Sequence, residues 1–362
     1  MAATRLRSLY RAGVCDAQLL ESAISDALVN CLVDDEELQL ATQGQLRDAL
    51  FQDPVSQSYP PPKASQRHVF KRVLAMLEKC AEIDDDLYSA CVDGLACNRK
   101  ATQADDQENQ NDFDGYRVLE IPEGDCIVVR VSAQVGGDLE TGAQIWSAGA
   151  ALFSLCSCGM LDESLRGHVL ELGAGTGVVG LALARRSAPV TRVTLTDGQP
   201  GVVENLKHNV AATSSICALP VPVEVLRLEW TSPDLERLQA DVDVIVGSDL
   251  VYDISVLPSL ACLFRQLLQP IGTATVAVLA YAFRAETTEQ AMFSSFEDAG
   301  LVCEFWQLPD TIDVMPLAFD RQQLHDGGVR ILRLKAADVK SDVYEKERGK
   351  IPRGLRRKSW KP

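Results

Sequence analysis

Val169-Leu170-Glu171-Leu172-Gly173-Ala174-Gly175-Thr176-Gly177 is the stretch of this chain whose residue types and spacing specify the most chemistry. Val169 to Leu172 read as the end of a buried strand, and a glycine-rich turn follows directly. Glycines there reach positive φ and let a ligand approach the bare backbone. A helix is expected from Val178, so its first amides and its positive dipole end face the same point. Two classes of nucleoside cofactor use such a turn. Gly175-Thr176-Gly177-Val178-Val179-Gly180 satisfies GxGxxG, and Asp197 lies twenty residues past Gly177, as a dinucleotide site would require.

Three details favour S-adenosylmethionine instead. Glu171 sits inside the strand, two residues before Gly173, where it can meet the cationic end of a ligand. The turn is Gly-x-Gly-x-Gly, with its first glycine directly after the strand. A polar cluster, Ser248-Asp249-Leu250-Val251-Tyr252-Asp253, follows the fourth strand of the series, where an open α/β sheet opens its crevice. A tight strand–helix turn with no ligand is the remaining reading.

These residues need a sheet to hold them. Short apolar runs at His168–Leu172, Arg192–Thr196, Val221–Leu226, Val242–Val246, Ala274–Ala280, Leu301–Gln307 and Val329–Leu334 alternate with helical stretches such as Val178–Arg186 and Gly201–Ala211. That alternation argues an α/β fold with a mostly parallel sheet covered on both faces. Arg117–Ile121 and Cys126–Val131 are expected to pair as a hairpin. Ahead of them the chain reads as helices, with apolar stripes at Leu20, Ile24, Leu28 and Leu32, at Leu46, Leu50 and Phe51, and at Val69, Phe70, Val73 and Leu77. Leu87, Cys91 and Leu95 suggest a further helix. Pro60-Pro61-Pro62 forces an extended segment. The division expected is a helical domain over 1–97, a polar linker over 98–115, a cofactor domain over 116–340 and a disordered basic tail over 341–362.

Composition narrows the partners. The 362 residues carry 35 Lys+Arg against 51 Asp+Glu, net −16, a balance that disfavours direct nucleic-acid binding. Only Glu345–Pro362 runs the other way, with eight Lys/Arg and two Glu. Thr141–Leu161 is uncharged, yet its Gln, Ser and small residues suit a buried helix better than a membrane span. Eleven scattered cysteines, an odd number, with no apolar leader after Met1–Arg11, suggest free thiols in a reducing, cytoplasmic setting. Cys156 and Cys158 have the wrong spacing for a CxxC knuckle, and four scattered histidines give no reason to expect a metal.

On these motifs the chain resembles the class I (seven-strand) methyltransferases. Within them it resembles the protein-lysine methyltransferase group whose fourth strand ends in Asp-x-x-Tyr, here Asp249-Leu250-Val251-Tyr252. Thr141-Gly142 followed by Trp146, and Leu228-Glu229-Trp230 after the third strand, match further positions of that group. Ser58-Tyr59-Pro60-Pro61 behind a helical extension resembles its elongation factor 2 branch. The resemblance covers Tyr116 to Lys335 and implies a Rossmann-like seven-strand sheet, S-adenosylmethionine as cofactor, and a lysine of a protein, elongation factor 2, as substrate. It implies a cofactor pocket of Trp146, Glu171, Gly173, Ala174, Gly175, Asp197, Trp230 and Ser248, with Asp249 and Tyr252 acting on the amine. Ser248 departs from the family's usual Ala but keeps a small side chain.

Chemistry agrees in outline. Asp197 can accept both ribose hydroxyls, or cap the helix before Pro200. Trp230 can stack on adenine or fill a core, and plain packing also suits Trp146. Arg284 matches an arginine common in the group and suits either a substrate loop or a surface ion pair. A monomer is expected, with no membrane partner. A methyltransferase for another protein or a small molecule, a nicotinamide enzyme, or an interaction protein with a vestigial cofactor fold stay as alternatives.

Overall fold

Aspartates start most helices of the first hundred residues. Asp16 accepts from the Leu19 amide at 2.7 Å, Asp35 from Leu38 at 2.9 Å, Asp53 from Ser56 at 2.8 Å and Asp84 from Leu87 at 2.7 Å. Each satisfies an amide with no partner inside its own helix. The helices are α1 (Ala2–Arg11), α2 (Ala17–Ala27), α3 (Glu36–Phe51), α4 (Pro54–Ser58), α5 (Lys63–Leu77) and α6 (Asp85–Ala104). The computed structural model describes residues 2–32, 35–104, 113–121, 126–132, 141–186, 189–238, 242–268, 276–306 and 328–337.

Two boundaries differ from the sequence reading. The first residues form α1, which buries Leu6, Leu9 and Tyr10. The polar stretch from Asn98 does not begin as linker, because α6 continues to Ala104. Asn98–Ala104 holds neither Pro nor Gly, and Arg, Lys, Gln and Ala all favour helix. The remainder of that stretch, 105–112, and the basic tail lie outside the described residues.

The hairpin forms as expected, β1 (Gly115–Glu120) pairing antiparallel with β2 (Cys126–Val131), Val118 opposite Val128. The prolines dock on its start. Tyr116 N donates to Pro60 O at 2.9 Å, and a Cβ on Gly115 would stand 2.9 Å from that oxygen.

Seven strands make the main sheet: β3 (Gly167–Leu172), β4 (Val190–Asp197), β5 (Val223–Arg227), β6 (Val244–Ser248), β7 (Val276–Ala282), β8 (Leu301–Phe305) and β9 (Val329–Ala336). Their order is β5-β4-β3-β6-β7-β9-β8, and β9 alone runs antiparallel to its neighbours β7 and β8. Side chains alternate between two cores. Val169, Leu195, Val246 and Val278 face α7 (Ser147–Ser157) and α8 (Val178–Arg185), whereas Leu170, Leu172, Ile245 and Leu279 face α11 (Leu257–Leu267) and α12 (Glu286–Asp298). Between these lie α9 (Pro200–Ile216) and the single turn α10 (Leu235–Leu238). All of α7 after Ser147 is buried, so the uncharged stretch is an interior helix; no helix among the described residues is long and apolar enough to cross a membrane.

The first core does not stop at the sheet. It runs from Val169 and Leu181 through Ile127, Val129 and Leu119 of the hairpin into Leu6, Leu20, Val69 and Phe70 of the helices. A buried ion pair ties the same seam, Arg11 Nε donating to Asp53 at 2.9 Å and Arg11 also reaching Glu120 at 3.2 Å. The expected division of the sequence into a helical half and a sheet half is therefore not a division of the core. All eleven cysteines are free thiols.

Candidate active site

The strand order reverses between β3 and β6, and there an α/β sheet opens a crevice beyond its strand ends. The cavity at that point has a volume of about 370 Å³, within the range of small-molecule sites. Gly173, Gly175 and Gly177 take φ of 57°, 56° and 80°, the left-handed region that only glycine enters readily. At Gly173 the missing side chain also makes room. A Cβ there would stand 2.5 Å from Leu250 Cδ2 and 3.2 Å from the Trp230 ring. Leu250 was not among the sequence candidates; its signal was an apolar residue inside a polar cluster. It fills the gap between the glycine turn and the end of β6, 3% exposed.

Asp197 ends β4 and accepts from the Gly175 amide at 3.2 Å and the Gln199 amide at 3.2 Å, so it braces the loop ahead of α9, whose N-cap is Gln199, while lining the cavity. Trp146, at the N-cap of α7, donates Nε1–H to Thr141 O at 2.9 Å. Ser248 Oγ lies against Gly149, where an added Cβ would be 3.3 Å away, so small residues let α7 approach β6.

Asp249 is the one non-glycine residue at positive φ among the described residues, at 52°. Its two carboxylate oxygens accept from Ala148 N and Ala282 N, both at 3.0 Å, which ties the start of α7 and the end of β7 to the end of β6. Local side-chain bonding of this kind is what lets an aspartate hold a left-handed backbone. Tyr252 stands at the mouth, 49% exposed. Arg284 lines the same mouth, its guanidinium carbon 5.6 Å from the Trp146 ring centroid, a cation–π contact in place of a surface ion pair.

Of the ten predicted site residues, nine line this one cavity: Trp146, Gly173, Ala174, Gly175, Asp197, Trp230, Ser248, Asp249 and Tyr252. Glu171 does not. It shares a strand face with Val169, turned toward α8, is 1% exposed, and accepts from the Gly180 amide at 2.8 Å. Gly177 has no side chain to cap α8, so Glu171 serves its first turn from below. Burial pushes its carboxyl up to about 8, against the opposing Gly180 hydrogen bond, and the Asp197 charge adds to the rise. What the structure shows for Glu171 is support of the helix that follows the glycine turn.

Residues 124–299 match the family model described as lysine methyltransferase. Over these residues, just under half of its length, the chain is similar to that family. Protein-lysine N-methyltransferase EFM3 of Saccharomyces cerevisiae is 32% identical over 40% of this chain and 42% of its own length. EEF1A lysine methyltransferase 3 of Xenopus tropicalis is 32% identical over 34% of this chain and 51% of its own. Protein-lysine N-methyltransferase EEF2KMT of Homo sapiens is 28% identical over 61% and 67%. The chain spans about half the length of the first of these relatives. Family and sheet together separate the two cofactor readings, since the dinucleotide order 3-2-1-4-5-6 has no antiparallel strand inserted before its last.

S-adenosylmethionine is the family's cofactor, and the residues present fit it. The turn exposes main chain without Cβ atoms, Trp230 walls the cavity beside Gly173, and the Asp197 carboxylate can take vicinal hydroxyls.

Proposed function

We propose that this protein is a protein-lysine N-methyltransferase whose substrate is a lysine of elongation factor 2. One observation carries the reading: Asp249 and Tyr252 of the Asp-x-x-Tyr segment line the same cavity as the glycine turn, at the edge that opens to solvent. The human relative, protein-lysine N-methyltransferase EEF2KMT, is matched over 61% of this chain, which supports that branch over the others.

When bound, the cofactor supplies a methyl group on a sulfonium. The chain's own residues must present an amine to it in line. A lysine side chain has a pKa near 10.4, so about one in 2,500 is neutral at pH 7. Desolvation at the cavity mouth lowers that pKa, and Tyr252 offers a ring face and a hydroxyl to the incoming ammonium. Asp249 gives the ammonium a carboxylate while its hydrogen bonds to Ala148 and Ala282 hold it in place. Holding the nitrogen in line is where rate is gained. The helical residues before the hairpin are assigned to substrate recognition, and eleven free thiols suit a cytoplasmic enzyme.

The test is transfer of label from radioactive S-adenosylmethionine into an extract lacking this activity. One labelled band at the size of elongation factor 2, absent with Asp249→Ala, is expected. Label in another protein would move the substrate assignment, and label only in small molecules would overturn protein methylation.

A further inference from the structure

The outer edge of β2 pairs with a helix. Asn205, Asn209 and Thr213 recur every four residues along α9, and each is fully buried. Arg130 N donates to Asn209 Oδ1 at 2.8 Å, Asn205 Nδ2 to Arg130 O at 3.3 Å, and Val128 N to Thr213 Oγ1 at 3.1 Å, with Thr213 Oγ1 donating back to Val128 O at 3.0 Å. Four helical residues rise about 6 Å and two strand residues about 6.6 Å, so the two rows stay in step over this distance.

Asn209 makes one bond more. Its Nδ2 donates to Thr176 O at 2.9 Å, inside the glycine turn. Oxygen and nitrogen of this amide are each fixed by a partner of opposite kind, an N–H at one end and a carbonyl at the other. The hairpin is in turn bound to the helices, through Tyr116 and Pro60, and through Ser8 and Arg11, which both donate to Glu120.

We propose that Asn209 is a positioning residue that couples the hairpin, and the helices docked on it, to cofactor binding at the glycine turn. A turn carbonyl held by a side chain that also holds β2 shifts when β2 shifts. Linkage makes the effect reciprocal: occupancy of the turn must stabilise the edge of β2. Asn205 and Thr213 pair the same edge without touching the turn, and so provide internal controls.

The experiment is calorimetric titration with S-adenosylhomocysteine on the full chain. Asn209→Asp keeps an acceptor for Arg130 N but sets a carboxylate oxygen against Thr176 O. Its affinity is expected to fall about tenfold, within the usual span of coupling between sites. Asn205→Ala and Thr213→Val are expected to lower the melting temperature and leave affinity within about twofold of wild type, because they carry no such coupling. Wild-type affinity in Asn209→Asp would overturn the inference. Should that variant fail to fold, hydrogen exchange on the wild type decides: ligand is expected to slow exchange of the Arg130 amide, which Asn209 holds, and an unchanged rate there would overturn it equally. The inference rests on the S-adenosylmethionine reading of the cavity. A wild-type protein that binds no S-adenosylhomocysteine overturns both, whereas wild-type binding with an unaffected Asn209→Asp overturns the coupling alone.

Discussion

Asp249, proposed to receive the ammonium, also holds two main-chain amides, and one substitution cannot separate the two by activity alone. Asp249→Ala removes the acceptor for Ala148 N and Ala282 N and leaves alanine at φ 52°, so about 2–4 kcal/mol of stability should go with it. Methyl transfer is expected to vanish while cofactor affinity, measured by calorimetry, stays within about fivefold, since the turn itself is intact. Ordinary turnover in that variant would remove Asp249 from the chemistry. Asp197→Ala should do the converse and weaken cofactor binding in the same titration. Glu171 belongs to stability. Burial pushes its folded carboxyl up to about 8, whereas an unfolded glutamate lies near 4.3. The folded state thus holds the proton more tightly between these values, and stability falls as pH rises from about 4.3 to about 8. Glu171→Gln keeps the acceptor for Gly180 N and should flatten that slope in melting curves taken across the window; an unchanged slope would mean that other groups set it. The nine cavity residues were legible because glycine spacing and strand ends fix where they stand. Glu171 stands apart from the nine because a strand sends alternate residues to opposite faces, and spacing alone did not say which face borders the cavity.

Strands and their alternating helices were legible as elements because continuous apolar runs between polar turns have few other readings. The hidden items were those whose cause is tertiary. Helix α1 needs the hairpin and α2 to bury Leu6 and Leu9, and α6 outran its apolar stripe on helix propensity alone. The row on α9 was invisible too, because Asn and Thr at four-residue spacing read as an exposed polar stripe until a strand edge lies against them. Packing of α8 on the sheet offers a direct test. A Cβ on Gly180 would stand 2.2 Å from Leu195 Cδ2 and 2.6 Å from Glu171 Oε2. Gly180→Ala is therefore expected to cost about 1–3 kcal/mol by overpacking, read as a lower urea midpoint with an unchanged slope.

At the scale of the whole molecule, the shared core predicts shared unfolding. Trp146, Trp230 and Trp306 all stand beside the sheet, so their emission reports it, while far-ultraviolet dichroism is weighted toward the helices. The two signals should change together on heating, as one cooperative unit requires, and two separate transitions would restore independent domains. Arg11→Ala should shift that transition strongly, since Asp53 would keep a buried charge without its partner, a loss on the order of 3–5 kcal/mol. The pairing of β2 with α9 has a consequence for synthesis as well. Val128 waits for Thr213, 85 residues further along the chain, or roughly 4–17 s at ribosomal speeds of about 5–20 residues per second. Through that interval the nascent chain displays an open strand edge beside the apolar Leu119, Ile127 and Val129, a template for wrong pairing. That edge is covered only once α9 has been made.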